Sequence, residues 1–180
     1  EILDSLLKAA EQAMRNAGVC WEQIRSIGLA NQGETCLMWD RYTGEPVYPA
    51  IVWQDRRTST AADALAQQHR EDIQQRTGLI VDGYFSATKL QWIMDNVPQV
   101  REKIEKGQLL AGTLDSWLVW KLTGGALHVT DCATASRTML FNIHEKRWDT
   151  VLLDLLGVPK EILPQVRECA GDFGTTLPRY

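Results

Sequence analysis

The sequence predicts a mixed fold of helices and short strands, of α/β or α+β type. Three observations carry that expectation. The chain opens on a helical apolar stripe; three short runs rich in β-branched, aromatic and other apolar residues follow between residues 24 and 53; and further helical segments with recognisable ends fill the remainder.

The opening stripe is Leu3, Leu6, Leu7, Ala10, Met14 and Ala17, spaced to share one helical face. Gly18 is expected to close this helix, because glycine adopts the positive φ of a C-terminal cap without strain. Residues 24–31, 35–40 and 47–53 are expected to form an antiparallel meander, with glycine in both corners. Asp55 is a candidate cap for a helix from Arg56 past Leu65, with a further helical segment reaching Arg76 and stopping at Gly78. Leu90, Ile93, Met94 and Val97 share a face of the next helix, with Ser86 as candidate N-cap and Pro98 beyond its end, while Trp92 lies off that stripe. The segment from Thr113 to about Thr123 is apolar on most of its circumference, which predicts a buried helix ended by Gly124 and Gly125. Short helices near 130–136 and 150–156 and a strand near 165–168 complete the reading.

Composition bounds the function. At 180 residues, a domain can bury roughly 70% of its unfolded surface, enough for a real core. A net charge of −4, with acids and bases intermixed, lacks the one-sided positive face that nucleic acid requires. Cys20, Cys36, Cys132 and Cys169 make no CxxC pair, so neither a zinc site nor a disulfide framework is expected, and a reducing cytoplasm is the simplest home. No apolar run is long enough to span a bilayer. The helical stripe starts almost at Glu1, which reads as a piece of a longer protein entered just before a helix.

Candidate chemistry centres on one polar corner. Asn31-Gln32-Gly33-Glu34 interrupts two apolar runs. Asn and Gly are common turn formers, and Glu34 at a loop tip would simply be solvated. The functional alternative is an edge that reads hydroxyls, since a hydroxyl donates to a carboxylate and accepts from an amide. Trp53 is either a core aromatic or a flat face for the C–H side of a polyol. Arg56 and Arg57 read as structural partners of carboxylates, Tyr84-Phe85 as core packing and Lys89 as a surface residue. Asp115 and Asp131 read as helix caps, and His69, His128 and His144 form no metal or triad pattern. GxSxG, HExxH, Walker and GxGxxG motifs are absent.

Taken in order, "IGLANQGET", "AIVWQDRRT", "GLIVDGYFSATKLQWIMDN", "GTLDSWLVWKLTGG", "HVTDCATASRTMLFNIH" and "WDTVLLDLLGVPKEILPQV" resemble the FGGY family of carbohydrate kinases, its glycerol-phosphorylating branch in particular. The likeness runs from about Ile24 to Val166. It implies a ribonuclease-H-like, actin-like fold of two lobes, with residues 1–180 supplying most of the N-terminal lobe. It further implies a polyol site lined by Glu34, Trp53 and Tyr84, and ATP with Mg2+ as cofactors of the full-length enzyme. The phosphate hairpin is expected before Glu1, and the catalytic Asp and adenine lobe beyond Tyr180, so no catalytic, nucleotide or metal residue is expected within the chain. A lobe without those groups is not expected to transfer phosphate alone, because phosphoryl transfer depends on positioning and charge stabilisation.

One departure stands out: the glycerol-phosphorylating members usually carry Arg where this chain has Gly33, which removes a fork of donors and enlarges the site. The expected partners are a polyol or sugar and the remainder of the same kinase chain, with self-association into a homo-oligomer left open. The alternative from another class is a non-catalytic polyol-binding or regulatory module on the same fold. A carboxylate-pair hydrolase has no two acids in motifs that predict a shared cleft.

Overall fold

The computed structural model describes residues 1–178 and 180. Its order is α1 (Ile2–Ala17), β1 (Cys36–Asp40), α2 (Ser59–Thr77), α3 (Ser86–Asn96), α4 (Val100–Glu105), β2 (Leu109–Thr113), α5 (Leu114–Leu122), β3 (Val129–Asp131), α6 (Cys132–Ala135), β4 (Phe141–Asn142), β5 (Arg147–Trp148), α7 (Thr150–Leu156) and β6 (Gln165–Arg167). Single 3-10 turns lie at Trp21–Gln23 and Lys160–Ile162.

β1 is the organising strand. It pairs antiparallel with β2, from Cys36 opposite Thr113 to Asp40 opposite Leu109. Period-two alternation sends its side chains into two separate interiors. Cys36 and Met38 join Leu109 and Ala111 in a large core with Leu90 and Ile93 of α3, Leu152 and Leu153 of α7, Ile73 and Phe141. Leu37 and Trp39 face the other way, into a smaller core with Leu110, Trp117, Leu118 and Trp120, flanked by Leu3 and Leu6 of α1. The all-round apolar helix is therefore buried as expected, against the face of the sheet opposite α3. Gly112 permits this packing, because a Cβ there would come within 2.9 Å of Ser116 Cβ.

The expected meander is corrected. Within residues 35–40 the strand is Cys36–Asp40, but the segment after it forms no continuous ladder with β1, only isolated bridges at Cys36–Ile51 and Trp39–Pro46. Pro46 and Pro49 lack the N–H that a continuous ladder needs. Residues 24–31 form no strand among the described residues, and Ile24 and Ile27 are exposed. β1 takes β2 as its ladder partner instead.

Several helix ends follow the chemistry of the sequence. Gly18 adopts φ 66° and receives α1, and Gly78 at φ 71° ends α2. The expected helix from Arg56 begins at Ser59, because the Asp55 carboxylate accepts from Arg57 N instead of capping a helix. Ser86 is the first helical residue of α3, not its cap, and its hydroxyl donates to Glu34 O at 3.0 Å. Asp131 caps α6 by accepting from Thr134 N, as its spacing suggested. Asp115 does not cap α5. It lies within the first turn, buried, and accepts from Thr130 Oγ1 at 2.7 Å, and burial pushes its carboxyl above the usual range.

Asp149 joins three elements. Its carboxylate caps α7 at Val151 N and Leu152 N and accepts from Asn142 Nδ2 and Arg76 Nη1. β3 and β6 pair in parallel, and β4 with β5 makes a short antiparallel hairpin. No helix among the described residues is long and apolar enough to cross a membrane.

His128 provides a pH handle on this core. Its Nε2 lies 3.0 Å from Ala111 O, its ring meets Trp39 edge-on at 5.2 Å, and burial lowers its pKa from 6.5 to about 4. The unfolded chain thus takes up a proton near pH 6.5 that the folded chain refuses until about pH 4. The associated stability is complete above pH 6.5 and is lost as the pH falls toward 4. Urea titrations at pH 7.5 and 4.5 are expected to show wild type losing about 2.5 kcal/mol more than His128→Gln. Equal losses would contradict the assignment.

Candidate functional site

The polar corner leads directly into β1. Gln32 is occupied locally: its carbonyl accepts from Thr35 N at 3.0 Å and its side-chain oxygen from Thr35 Oγ1 at 2.9 Å. Glu34 is not a solvated loop tip, for it is only 6% exposed. Its carboxylate accepts from Arg137 Nε at 2.7 Å. Gly33 has no left-handed φ, and a Cβ there would make only ordinary contact with Arg137 Cγ at 3.6 Å. Neither backbone conformation nor crowding therefore requires glycine at this position.

A row of rings adjoins the corner. Trp53, 37% exposed, lies 5.5 Å from Tyr84 between centroids, and Tyr84 lies 5.3 Å from Phe85 at 80°. The Arg137 guanidinium sits over Phe85 at 5.1 Å, so the row continues to the cation that holds Glu34. The Ser86 hydroxyl ties the same corner to the start of α3. Of the three residues singled out from sequence, Trp53 and Tyr84 touch directly; Glu34 is joined to them through Arg137, Phe85 and Ser86.

The loop that presents Tyr84 is held from beneath. Asp82 Oδ1 accepts from Tyr84 N and from Arg56 Nη1, each at 2.7 Å. Gly83 packs against the start of α2, where a Cβ would lie 3.1 Å from Ser59 N. Lys89 corrects the sequence reading, for it is fully buried and not a surface residue. Its Nζ donates to Gly83 O and Tyr84 O at 2.6 Å each. Burial lowers its pKa below the ordinary value, and burial also pushes the neighbouring Cys36 thiol up to about 12. Arg57 is structural as expected: it pairs with Asp55 at 2.7 Å and stacks over Trp92 at 4.5 Å and Tyr48 at 5.5 Å.

A separate cavity lies elsewhere. It measures about 600 Å³ and includes Asn31, Asp115, Asp131 and Thr134, but none of Glu34, Trp53 and Tyr84. Arg25 is its lone basic lining residue among those described, against Asp115, Asp131 and Asp172. Such a donor set does not fit a triphosphate, which needs cations and clustered backbone N–H groups. No group of three or more His, Cys, Asp or Glu side chains among the described residues comes together to hold a metal.

Sequence reasoning missed Arg137 altogether. It stands 103 positions from Glu34, and nothing local in "TASRTML" marks it as the partner of that carboxylate.

Comparison with known proteins gives the geometry a family. The sequence model described as "FGGY family of carbohydrate kinases, N-terminal domain" matches residues 1–180. Glycerol kinase of Alcanivorax borkumensis is 54% identical over 179 residues, covering 99% of this chain and 36% of that protein. Glycerol kinase of Deinococcus radiodurans is 51% identical over 176 residues, covering 98% of this chain and 35% of that protein. The chain thus spans about a third of the length of the curated relatives it matches. The crystal structure of Plasmodium falciparum glycerol kinase with ADP superposes with TM-score 0.83 at 35% identity, covering 87% of this chain and 31% of that one. Xylulose kinase from Bifidobacterium adolescentis, 17% identical, covers 92% of this chain and 39% of that one with TM-score 0.72, a likeness of fold alone. The mixed α/β arrangement around β1 is accordingly that of the sugar kinases, with their actin-like ATPase fold. On this match over its whole length, the chain belongs to the FGGY family of carbohydrate kinases, in the region of their N-terminal domain.

Proposed function

We propose that the chain is the substrate-side part of an ATP-dependent kinase that phosphorylates a hydroxyl of glycerol or a related polyol. The observation that carries this reading is the likeness to glycerol kinases across nearly the entire chain. The site geometry supports it: a buried carboxylate beside a cation suits a hydroxyl that donates and accepts at once, and the Trp53–Tyr84 pair offers an apolar wall to the carbon backbone.

In this reading Glu34 orients a hydroxyl, Trp53 and Tyr84 confine the carbon chain, and the loop anchored on Lys89 keeps Tyr84 in place. ATP and Mg2+ supply the γ-phosphoryl group and its charge neutralisation, and both are held by the rest of the longer chain, since the donors described here do not fit them. The active unit is the full-length cytoplasmic enzyme, and residues 1–180 alone transfer no phosphate.

An ADP-coupled assay of the full-length protein against glycerol, tetritols and pentuloses tests the reading. Turnover with glycerol or a near relative is expected, and no turnover with any of them would overturn it. Gly33 favours one second reading, a polyol-binding module that has lost catalysis. Polyol binding measured calorimetrically, without turnover, would establish that reading instead.

A further inference from the structure

Glu34 and Arg137 form a pair whose bonding is incomplete. Arg137 spends only Nε on Glu34 Oε1; neither of its terminal nitrogens has a protein acceptor among the described residues. Its side chain is nevertheless 42% exposed, although the carboxylate it holds is nearly buried. The stem passes beside Gly33, whose missing side chain leaves that flank open, and the guanidinium plane lies over Phe85 at 5.1 Å. A planar cation fixed by one charge-assisted bond and one ring face has little freedom left, so its remaining N–H groups point in a set direction.

We propose that Arg137 is a substrate contact and specificity determinant of the polyol site. The inference rests on the kinase reading above and deepens it. One hydroxyl of the polyol donates to Glu34 while accepting from a terminal nitrogen of Arg137. The cation thus comes from a residue remote in sequence rather than from position 33, where the chain has no side chain to offer.

The same geometry predicts discrimination. A compound that lacks this hydroxyl leaves both charged groups without their partner in a partly dehydrated site. Loss of one charge-assisted hydrogen bond then corresponds to a factor of about 10 to 100 in affinity.

The test uses the full-length kinase with Arg137→Gln and Arg137→Lys. Initial rates are measured against glycerol at saturating Mg-ATP and against Mg-ATP at saturating glycerol, alongside thermal unfolding. Arg137→Gln is expected to raise the glycerol KM about thirtyfold while leaving the Mg-ATP KM within about twofold. Arg137→Lys, which keeps the charge and much of the stem, is expected to fall between it and wild type. Should the Gln variant fail to fold, the Lys variant decides alone: a rise of about tenfold supports the contact, and an unchanged glycerol KM overturns it. A glycerol KM within twofold of wild type in a folded Gln variant, or a parallel fall in kcat, both affinities and melting temperature, also overturns it. If wild type turns over no polyol, the kinase reading fails and the inference falls with it, an outcome distinct from an active wild type with an indifferent variant.

Discussion

Lys89→Met is expected to destabilise the protein by about 3 kcal/mol and to raise the polyol KM of the full-length enzyme several-fold. The replacement keeps most of the side-chain volume, so packing changes little. What it removes is the ammonium bound by Gly83 O and Tyr84 O in a fully buried place. Each orphaned carbonyl costs about 1–3 kcal/mol, partly offset because a dehydrated cation no longer has to be held. The bend that presents Tyr84 would then exchange its amide hydrogens faster than wild type. Chemical denaturation with hydrogen exchange at residues 82–86 measures both effects. A Met variant as stable as wild type would show that the two carbonyls need no cation.

Glu34→Gln in the full-length kinase is expected to lower kcat/KM for glycerol about 100-fold, equivalent to about 2.7 kcal/mol. The amide keeps the shape but gives up the negative charge, weakening both its bond from Arg137 and its acceptance of a hydroxyl proton. The Mg-ATP KM should stay near wild type, since in the proposed reading the nucleotide is held by the rest of the longer chain. A variant within threefold of wild type for glycerol would remove Glu34 from the site.

Helices were the legible part of the sequence. The stripes behind α1 and α3, the all-round apolar α5 and the stop at Gly78 follow from periodicity and cap chemistry, and all four occur in the structure. β2 escaped because "LLAGT" is buried at every position. A strand covered on both faces loses its alternation, and a mostly apolar stretch abutting a helix looks like more helix. The three-strand meander was overread, since apolar runs record burial and not which neighbour supplies the ladder. In the site, Glu34 was visible as a polar break between apolar runs. The burial of Lys89 was invisible, because its partners are backbone carbonyls that carry no side-chain signature.

β1 begins two residues beyond Glu34 and is clamped by separate interiors on its two faces. An acid mounted at the root of so rigid a beam is already immobilised before any ligand arrives. Recruiting it therefore forfeits little disorder, so polyol capture at this corner should show a small entropic penalty on the protein side and tolerate mutations in distant surface loops.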